Sequence, residues 1–253
     1  MYKILANTIF LGKDVHFLPE CHSTNDTALN LVKDRSGHEG TVVITDHQTR
    51  GKGQRGNKWI TEKGLNLTFS LILKPSFLDI SEQFYLNMAV SNSIRKLLKE
   101  YIPDLQVKWP NDLILPDFGK IGGILIENSY SGANWEYSII GVGINVNQLR
   151  FENPKATSLS KVTGSKFDLS ELFRLLLIQI EQGYIQLRRG KWLEIKSEYL
   201  HNLFQKDIWS NYEDSFGNFK GKILGISVLG KLEMERDNGD IQLFDLKEVV
   251  FKN

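Results

Sequence analysis

Cysteine is almost absent from this chain. Cys21 is the only one, so no disulfide can form within it, and a reducing compartment is the expected setting. The five histidines are scattered without zinc-ligand spacing, which excludes the common structural zinc sites. No apolar run approaches the ~20 residues needed to cross a bilayer. The opening MYKILANTIFLGKD has neither a long apolar stretch nor a small-residue cleavage site, so a cytoplasmic location and no membrane partner are expected. An excess of one charge is missing too. Lys plus Arg number 31 against 30 for Asp plus Glu, and a net charge of +1 provides no field for nonspecific attraction to nucleic acid. There is no internal repeat and no low-complexity segment.

What is present is an ordinary globular composition. A chain of 253 residues that is 41% hydrophobic can bury one large core, with room for a small appendage. The most informative stretch is Thr45–Trp59, TDHQTRGKGQRGNKW, where Gly51, Gly53 and Gly56 alternate with Arg50, Lys52, Arg55 and Lys58. Such a loop lets backbone and positive charge come close to a phosphate or carboxylate. Its glycines match the spacing of a dinucleotide fingerprint, but no helix follows. LNLTFSLIL at 65–73 reads instead as a strand, and the lysine that a Walker A loop requires directly after its glycine is absent as well. TVVIT at 41–45 reads as a buried strand feeding the loop, which gives a strand, loop, strand unit.

Other elements follow from pattern. Ser23, Thr24 or Asn25 can cap a helix running to about Lys33, and 81–101 and 172–187 carry apolar residues at helical spacing. A short break and another helix follow. The segment from Leu105 to Asn147 reads as several short strands, with Pro110 interrupting the ladder before Asn111 and Asp112, and Lys120 where the returning strand begins. Gly122, Gly123, Gly141 and Gly143 sit inside β-forming runs, where glycine costs stability unless something approaches the backbone closely. These four glycines predict a sheet face kept bare for a flat ligand. From Asp207 onward the chain becomes short β runs divided by turn signals, with Gly217 and Gly221 read as turns.

In combination, Ser23-Thr24-Asn25, Gln48, GKGQRG at 51–56, Trp59, KWPND at 108–112, Lys120-Ile-Gly-Gly and GVGIN at 141–145 resemble the catalytic domain of biotin protein ligase, in that family's order and spacing. The resemblance covers most of residues 15–150, and the combination is far more specific than any one piece. It departs from the most basic family members at Lys52 and Gln54, where many carry arginine. It also resembles the monofunctional type, without the winged-helix DNA-binding domain that precedes the catalytic domain in some bacterial members.

The resemblance implies an α+β fold: a mixed β-sheet flanked by helices, of the class II synthetase-like biotin/lipoate ligase type, over residues 1–204, then a small Src-homology-3-like β-barrel over 205–253. It implies ATP-dependent biotinylation of a lysine on the biotin carboxyl carrier domain of a carboxylase, through biotinyl-5'-AMP. Lys120 and Asp112 would be catalytic. Ser23, Thr24, Asn25, Gln48, Gly51, Lys52, Gly53, Gln54, Lys120, Gly123 and Gly141 would hold biotin, and Arg55, Trp59, Asn111 and Asn145 would hold ATP or the adenylate. Asp112 would also help hold Mg²⁺. A lipoate or octanoate transferase of the same fold is the nearest alternative. A ligand-sensing DNA-binding regulator is a third reading, disfavoured because no helix-turn-helix with a basic face is visible. Homodimerisation through a sheet edge is left open.

Overall fold

A computed structural model describes residues 7–132 and 134–252, except the side chain of Arg55. The β-branched run forms β2 (Val42–Thr45), and the run beyond the glycine loop forms β3 (Leu67–Leu73), paired antiparallel with it. Strand β1 (Val15–Leu18) joins β2 in parallel. Strands β4 (Gln106–Lys108), β5 (Asp112–Leu115), β6 (Gly119–Ser131) and β7 (Asn134–Ile144) complete a seven-stranded mixed sheet in the order β1-β2-β3-β7-β6-β5-β4.

Because successive side chains of a strand point to opposite faces, each strand divides its residues between two environments. On one face Ile44, Phe69, Leu71, Ile140, Val142 and Ile144 join the main core. That face is covered by α2 (Phe84–Leu98), α4 (Leu169–Arg188) and α5 (Trp192–His201). Asp168 starts α4 by accepting from the backbone N–H groups of Ser170 and Glu171, and Leu172, Phe173, Leu176, Leu177 and Ile180 then recur on its buried side. Phe173 meets Phe69 edge to face at 5.0 Å between ring centres. Ser93 on α2 fits against Gly183 on α4, where a Cβ would lie 2.0 Å from its hydroxyl, so glycine permits the two helices to approach closely.

The opposite face is only partly covered. Helix α1 (Thr24–Lys33) lays Ala28 against Val43, Ile72 and Ile139 at one end, leaving Thr68, Gly123, Leu125, Gly141 and Gly143 facing a cavity, with Ser70 buried behind Thr24 and Asn25. Ser23 occupies the N-cap position of α1, but its hydroxyl does not cap the helix. A short helix α3 (Leu159–Thr163) follows the loop after β7 and is capped by Ser158.

After α5, strands β8 (Trp209–Asp214), β9 (Gly217–Ile226), β10 (Leu232–Arg236), β11 (Ile241–Phe244) and β12 (Val250–Phe251) form an antiparallel sheet in the order β11-β10-β9-β8-β12. Tyr212, Ile223, Leu232, Met234 and Phe244 fill its interior, and burial pushes the Tyr212 hydroxyl up to about 12. Gly221 is not a turn, as its sequence context suggested. It lies within β9 opposite Ser210 and Arg236, where a Cβ would come 2.9 Å from the Phe219 ring and 3.2 Å from Met234 Cε. Glycine marks close packing there rather than chain reversal.

One long-range contact fastens the start of the described chain. Glu181, buried in the middle of α4, accepts the backbone N–H groups of Ile9, Phe10 and Leu11 at 2.7, 2.8 and 2.8 Å. Glu181→Ala leaves these donors without their acceptor and is expected to lower unfolding free energy by about 2 kcal/mol in urea titrations. Glu181→Gln keeps one acceptor oxygen and is expected to cost less.

Candidate active site

The floor of the site is set by glycine and strand register. Gly123 pairs with Gly143 across β6 and β7, and Gly141 lies two residues along on the same face. Side chains of the protein itself occupy the space these glycines leave. A Cβ at Gly143 would lie 2.4 Å from the Trp59 ring, one at Gly141 2.4 Å from Asn25 Oδ1, and one at Gly123 3.1 Å from Lys120 Nζ. The expected bare face therefore needs two corrections. Gly122 alternates to the other side, towards Gly143 O and Ile144, and Trp59, Asn25 and Lys120 furnish the remaining surface.

Lys120 and Asp112 meet at 2.6 Å. Strict alternation would place Lys120 and Gly123 on opposite faces, but the β5–β6 register shifts by one residue between Leu113 and Ile114, and this irregularity brings both to the cavity. The backbone of Lys120 is held on its outer side as well. Its N–H donates to Lys155 O at 2.7 Å and its C=O accepts from Thr157 N at 2.9 Å. Gly119 makes this crossing feasible: its φ is +108°, and a Cβ would lie 2.3 Å from Lys155 O.

The KWPND turn is fixed from several sides. Pro110 O accepts from Asn87 Nδ2 at 2.7 Å and from the Tyr199 hydroxyl at 2.9 Å, while Trp109 Nε1 donates to Gly230 O, in the loop between β9 and β10, at 2.9 Å. Asn111 exchanges hydrogen bonds with the backbone of Ile124. Burial, with Asp112 nearby, pushes the Tyr199 hydroxyl far above the usual phenol range. Lys108 stands opposite Asp112 in the β4–β5 ladder, with its ammonium 4.6 Å from the centre of the Phe251 ring. Burial lowers its pKa, with Asp112 acting in the opposite direction.

The far end of the cavity is dense in hydrogen bonds. Gln48 Oε1 accepts from the Thr24 backbone N–H at 2.8 Å and from its hydroxyl at 3.2 Å. Ser70 Oγ lies 2.7 Å from Thr24 Oγ1 and 2.6 Å from Asn25 Oδ1, and Asn25 Nδ2 donates to Glu127 at 2.6 Å. The glycine loop folds over this end. Trp59 N donates to Gly51 O and Gly53 N to Asn57 O, Gln54–Gly56 makes one 3-10 turn, and Lys52 pairs with Asp26 at 2.5 Å. That carboxylate, through its hydrogen bond, raises the Lys52 pKa.

A cavity of about 170 Å³ is lined by Ser23, Thr24, Asn25, Gln48, Lys52, Gly53, Gln54, Trp59, Asn111, Asp112, Lys120, Gly123 and Gly141, bringing most of the sequence candidates together. Two stand elsewhere. Gly51 lines a larger opening on the loop side, Asn145 lines a neighbouring cavity of about 580 Å³, and the side chain of Arg55 lies outside the described residues. Trp59 and Lys120 border both the 170 and 580 Å³ cavities, with the ammonium 5.7 Å from the centre of the indole ring. Trp59 Nε1 and Asn145 Oδ1 are buried without a hydrogen-bond partner among the described residues. Asn145 Nδ2 is engaged by Thr157 O at 3.0 Å.

Sequence reasoning missed Ser70, Glu127 and Lys108. For Ser70 a signal existed, a polar residue in phase with Thr68 inside an apolar strand. Glu127 had none, since its neighbours are set by strand pairing, while Lys108 opens the KWPND motif but was given no role there.

A model of the biotin/lipoate A/B protein ligase family matches residues 18–145. Over 240 residues the chain is 31% identical to the bifunctional ligase/repressor BirA of Bacillus spizizenii, covering 92% of this chain and 72% of that protein. It is 30% identical over 173 residues to the biotin–acetyl-CoA-carboxylase ligase of Mycobacterium tuberculosis, covering 66% and 63%. Among solved structures, Aquifex aeolicus biotin protein ligase in complex with biotin and ATP superposes with a TM-score of 0.75 at 26% identity, covering 95% of this chain and 99% of that one. Matched along the sheet, the glycine loop and the KWPND turn alike, the chain belongs to the biotin/lipoate A/B protein ligase family.

Proposed function

We propose that this protein is a biotin–protein ligase. It joins the carboxylate of biotin to the α-phosphate of ATP with release of diphosphate, then transfers the biotinyl group to a lysine ε-amine on the biotin carboxyl carrier domain of a carboxylase. The observation that carries this reading is the polarity of the cavity, with the Lys120–Asp112 pair at one end and the Gln48, Thr24, Ser70 and Asn25 network at the other. A cyclic urea with a carboxylate tail matches both ends. The dithiolane of lipoate and the alkyl end of octanoate carry no N–H or C=O, and would leave polar groups at the network end unmatched.

In the first step a carboxylate oxygen attacks the α-phosphorus and the bond to diphosphate breaks. Lys120, held by backbone bonds on both sides, meets the negative charge that develops on the phosphate oxygens. Trp59 supplies a flat surface between the two cavities, which suits the adenine side of the nucleotide, and Asn111 and Asn145 stabilise the strands around it. In the second step the carrier amine attacks the acyl carbon, AMP leaves, and Asp112 is placed to orient the amine and take its proton. Asp112 supplies a cavity-lining carboxylate for Mg²⁺, in keeping with an ion that draws most of its ligands from phosphates and water; when bound, it would neutralise phosphate charge.

We also place residues 1–204 and 205–253 in separate units, the second bracing the KWPND turn through Gly230 and Phe251. Cytoplasmic action without sequence-specific DNA binding is part of the same reading. Among the described residues no helix is long and apolar enough to cross a membrane.

Exchange of labelled diphosphate into ATP, with biotin, lipoate or octanoate offered separately, tests the function. Biotin alone is expected to support exchange and subsequent labelling of one carrier lysine, and exchange driven by lipoate in place of biotin would overturn the assignment. Lys120→Ala is expected to lose on the order of a hundredfold in exchange rate with an unchanged urea midpoint, because its side chain contacts Asp112 and Trp59 at a cavity rather than the core. Near-normal exchange by that variant would remove Lys120 from the catalytic role.

A further inference from the structure

The backbone N–H of Asn111 has no hydrogen-bond partner among the described residues. The residue is only 7% exposed, and its Nδ2 and main-chain carbonyl are both bound to the backbone of Ile124. A buried N–H without an acceptor is costly, and one that persists beside a cavity calls for an acceptor that arrives with a ligand.

Its direction follows from the peptide plane. Pro110–Asn111 is a trans peptide, in which the C=O and the N–H point opposite ways. The Pro110 carbonyl accepts from Asn87 Nδ2 at 2.7 Å and from the Tyr199 hydroxyl at 2.9 Å. Both donors are buried and stand on α2 and α5, the helices that cover the core face of the sheet. The Asn111 N–H therefore points away from these helices, towards the cavity that Pro110, Asn111 and Asp112 border on the other face. Asp112, the next residue, is the carboxylate placed to take the amine proton in transfer, so the carbon under attack lies within reach of the same turn. A neutral N–H beside it suits the oxygen on that carbon, while the Lys120 ammonium, 2.6 Å from Asp112, suits phosphate charge.

We propose that the Asn111 N–H is a catalytic donor to the oxygen on the acyl carbon, and that Tyr199 and Asn87 are positioning residues that aim it. The proposal rests on the ligase reading above. When the carrier amine attacks, the C=O electron pair moves onto this oxygen and the N–H meets the charge. The C=O then re-forms, the bond to the phosphate oxygen breaks, AMP leaves and the amine proton passes to Asp112.

Two changes test this, separately and combined. Exchanging Asn111 for its α-hydroxy acid by cell-free translation turns the N–H into an ester oxygen. Tyr199→Phe removes one donor from Pro110 and keeps the ring that meets Phe84 edge to face at 5.9 Å. The ester is expected to lower kcat for transfer to the carrier about a hundredfold and diphosphate exchange less than tenfold, because charge on the acyl oxygen grows in transfer. Tyr199→Phe is expected to lower transfer about threefold, since Asn87 still holds the carbonyl, with KM for biotin unchanged. In the ester chain, with no N–H left to aim, the same substitution is expected to add nothing. Equal losses in exchange and transfer would put the N–H at the phosphate and overturn the proposal. Additive losses, or losses that follow the urea midpoint across the variants, would overturn it in favour of a structural hydrogen bond. Hydrogen exchange at the Asn111 amide, followed by NMR in the parent, is a readout without transfer: saturating biotin and ATP without carrier are expected to slow it at least tenfold. A parent inactive with biotin would refute the ligase reading and the proposal with it, whereas an active parent whose Asn111 amide exchanges at the same rate with and without ligands would refute the proposal alone.

Discussion

The site depends on side chains packed directly against a bare backbone. Trp59, Asn25 and Lys120 reach the sheet at Gly143, Gly141 and Gly123 to distances at which a Cβ could not be added without displacing the two former and crowding the third. The opposite face of the same strands is committed to Ile140, Val142 and Ile144 beneath α2 and α4, so the sheet cannot move away to make space. Cavity depth, placement of the indole and reach of Lys120 all depend on three missing side chains. A sheet with ordinary residues there would retain its core and lose its cavity.

Charge is organised with similar economy. The chain as a whole is nearly neutral, and two of the cations at the cavity are held next to acids: Lys120 by Asp112, and Lys52 by Asp26. Such partners keep the ammonium groups pointed until an anion arrives, when the acid can be exchanged for a carboxylate or phosphate oxygen. Lys108 is different, since it is drawn partly out of water beneath Phe251. Through that ring, and through the Trp109–Gly230 bond, the second sheet contacts the same turn that carries Asp112.

At the far end of the cavity, side-chain hydrogen bonds predominate. Thr24, Asn25 and Ser70 are buried, and leaving any of them unmatched costs roughly 1–3 kcal/mol per group, a large share of the affinity expected for a small acid.

The sequence by itself determined the parts whose causes are local. The β-branched run at 42–45, the amphipathic helices and the glycine loop between two strands follow from propensity, periodicity and turn chemistry and stand where their patterns placed them, although the Ser23 hydroxyl does not cap α1. The group of Ser23–Asn25, Gln48, the loop, Asp112 and Lys120 was legible because motifs in a known order select residues without requiring their geometry. Tertiary structure alone decided the rest. Gly122 looked equivalent to Gly123 until strand pairing turned one to the core, and Gly221 looked like a turn until Met234 and the Phe219 ring were seen against it. The register shift between Leu113 and Ile114, which puts Lys120 beside Gly123, has no composition of its own. Glu127 and Asn25 are 102 residues apart, and only the packing of α1 across β2, β3 and β7, with β6 paired beside β7, makes them neighbours. A sequence states which groups are available, whereas pairing register and helix placement decide which of them touch.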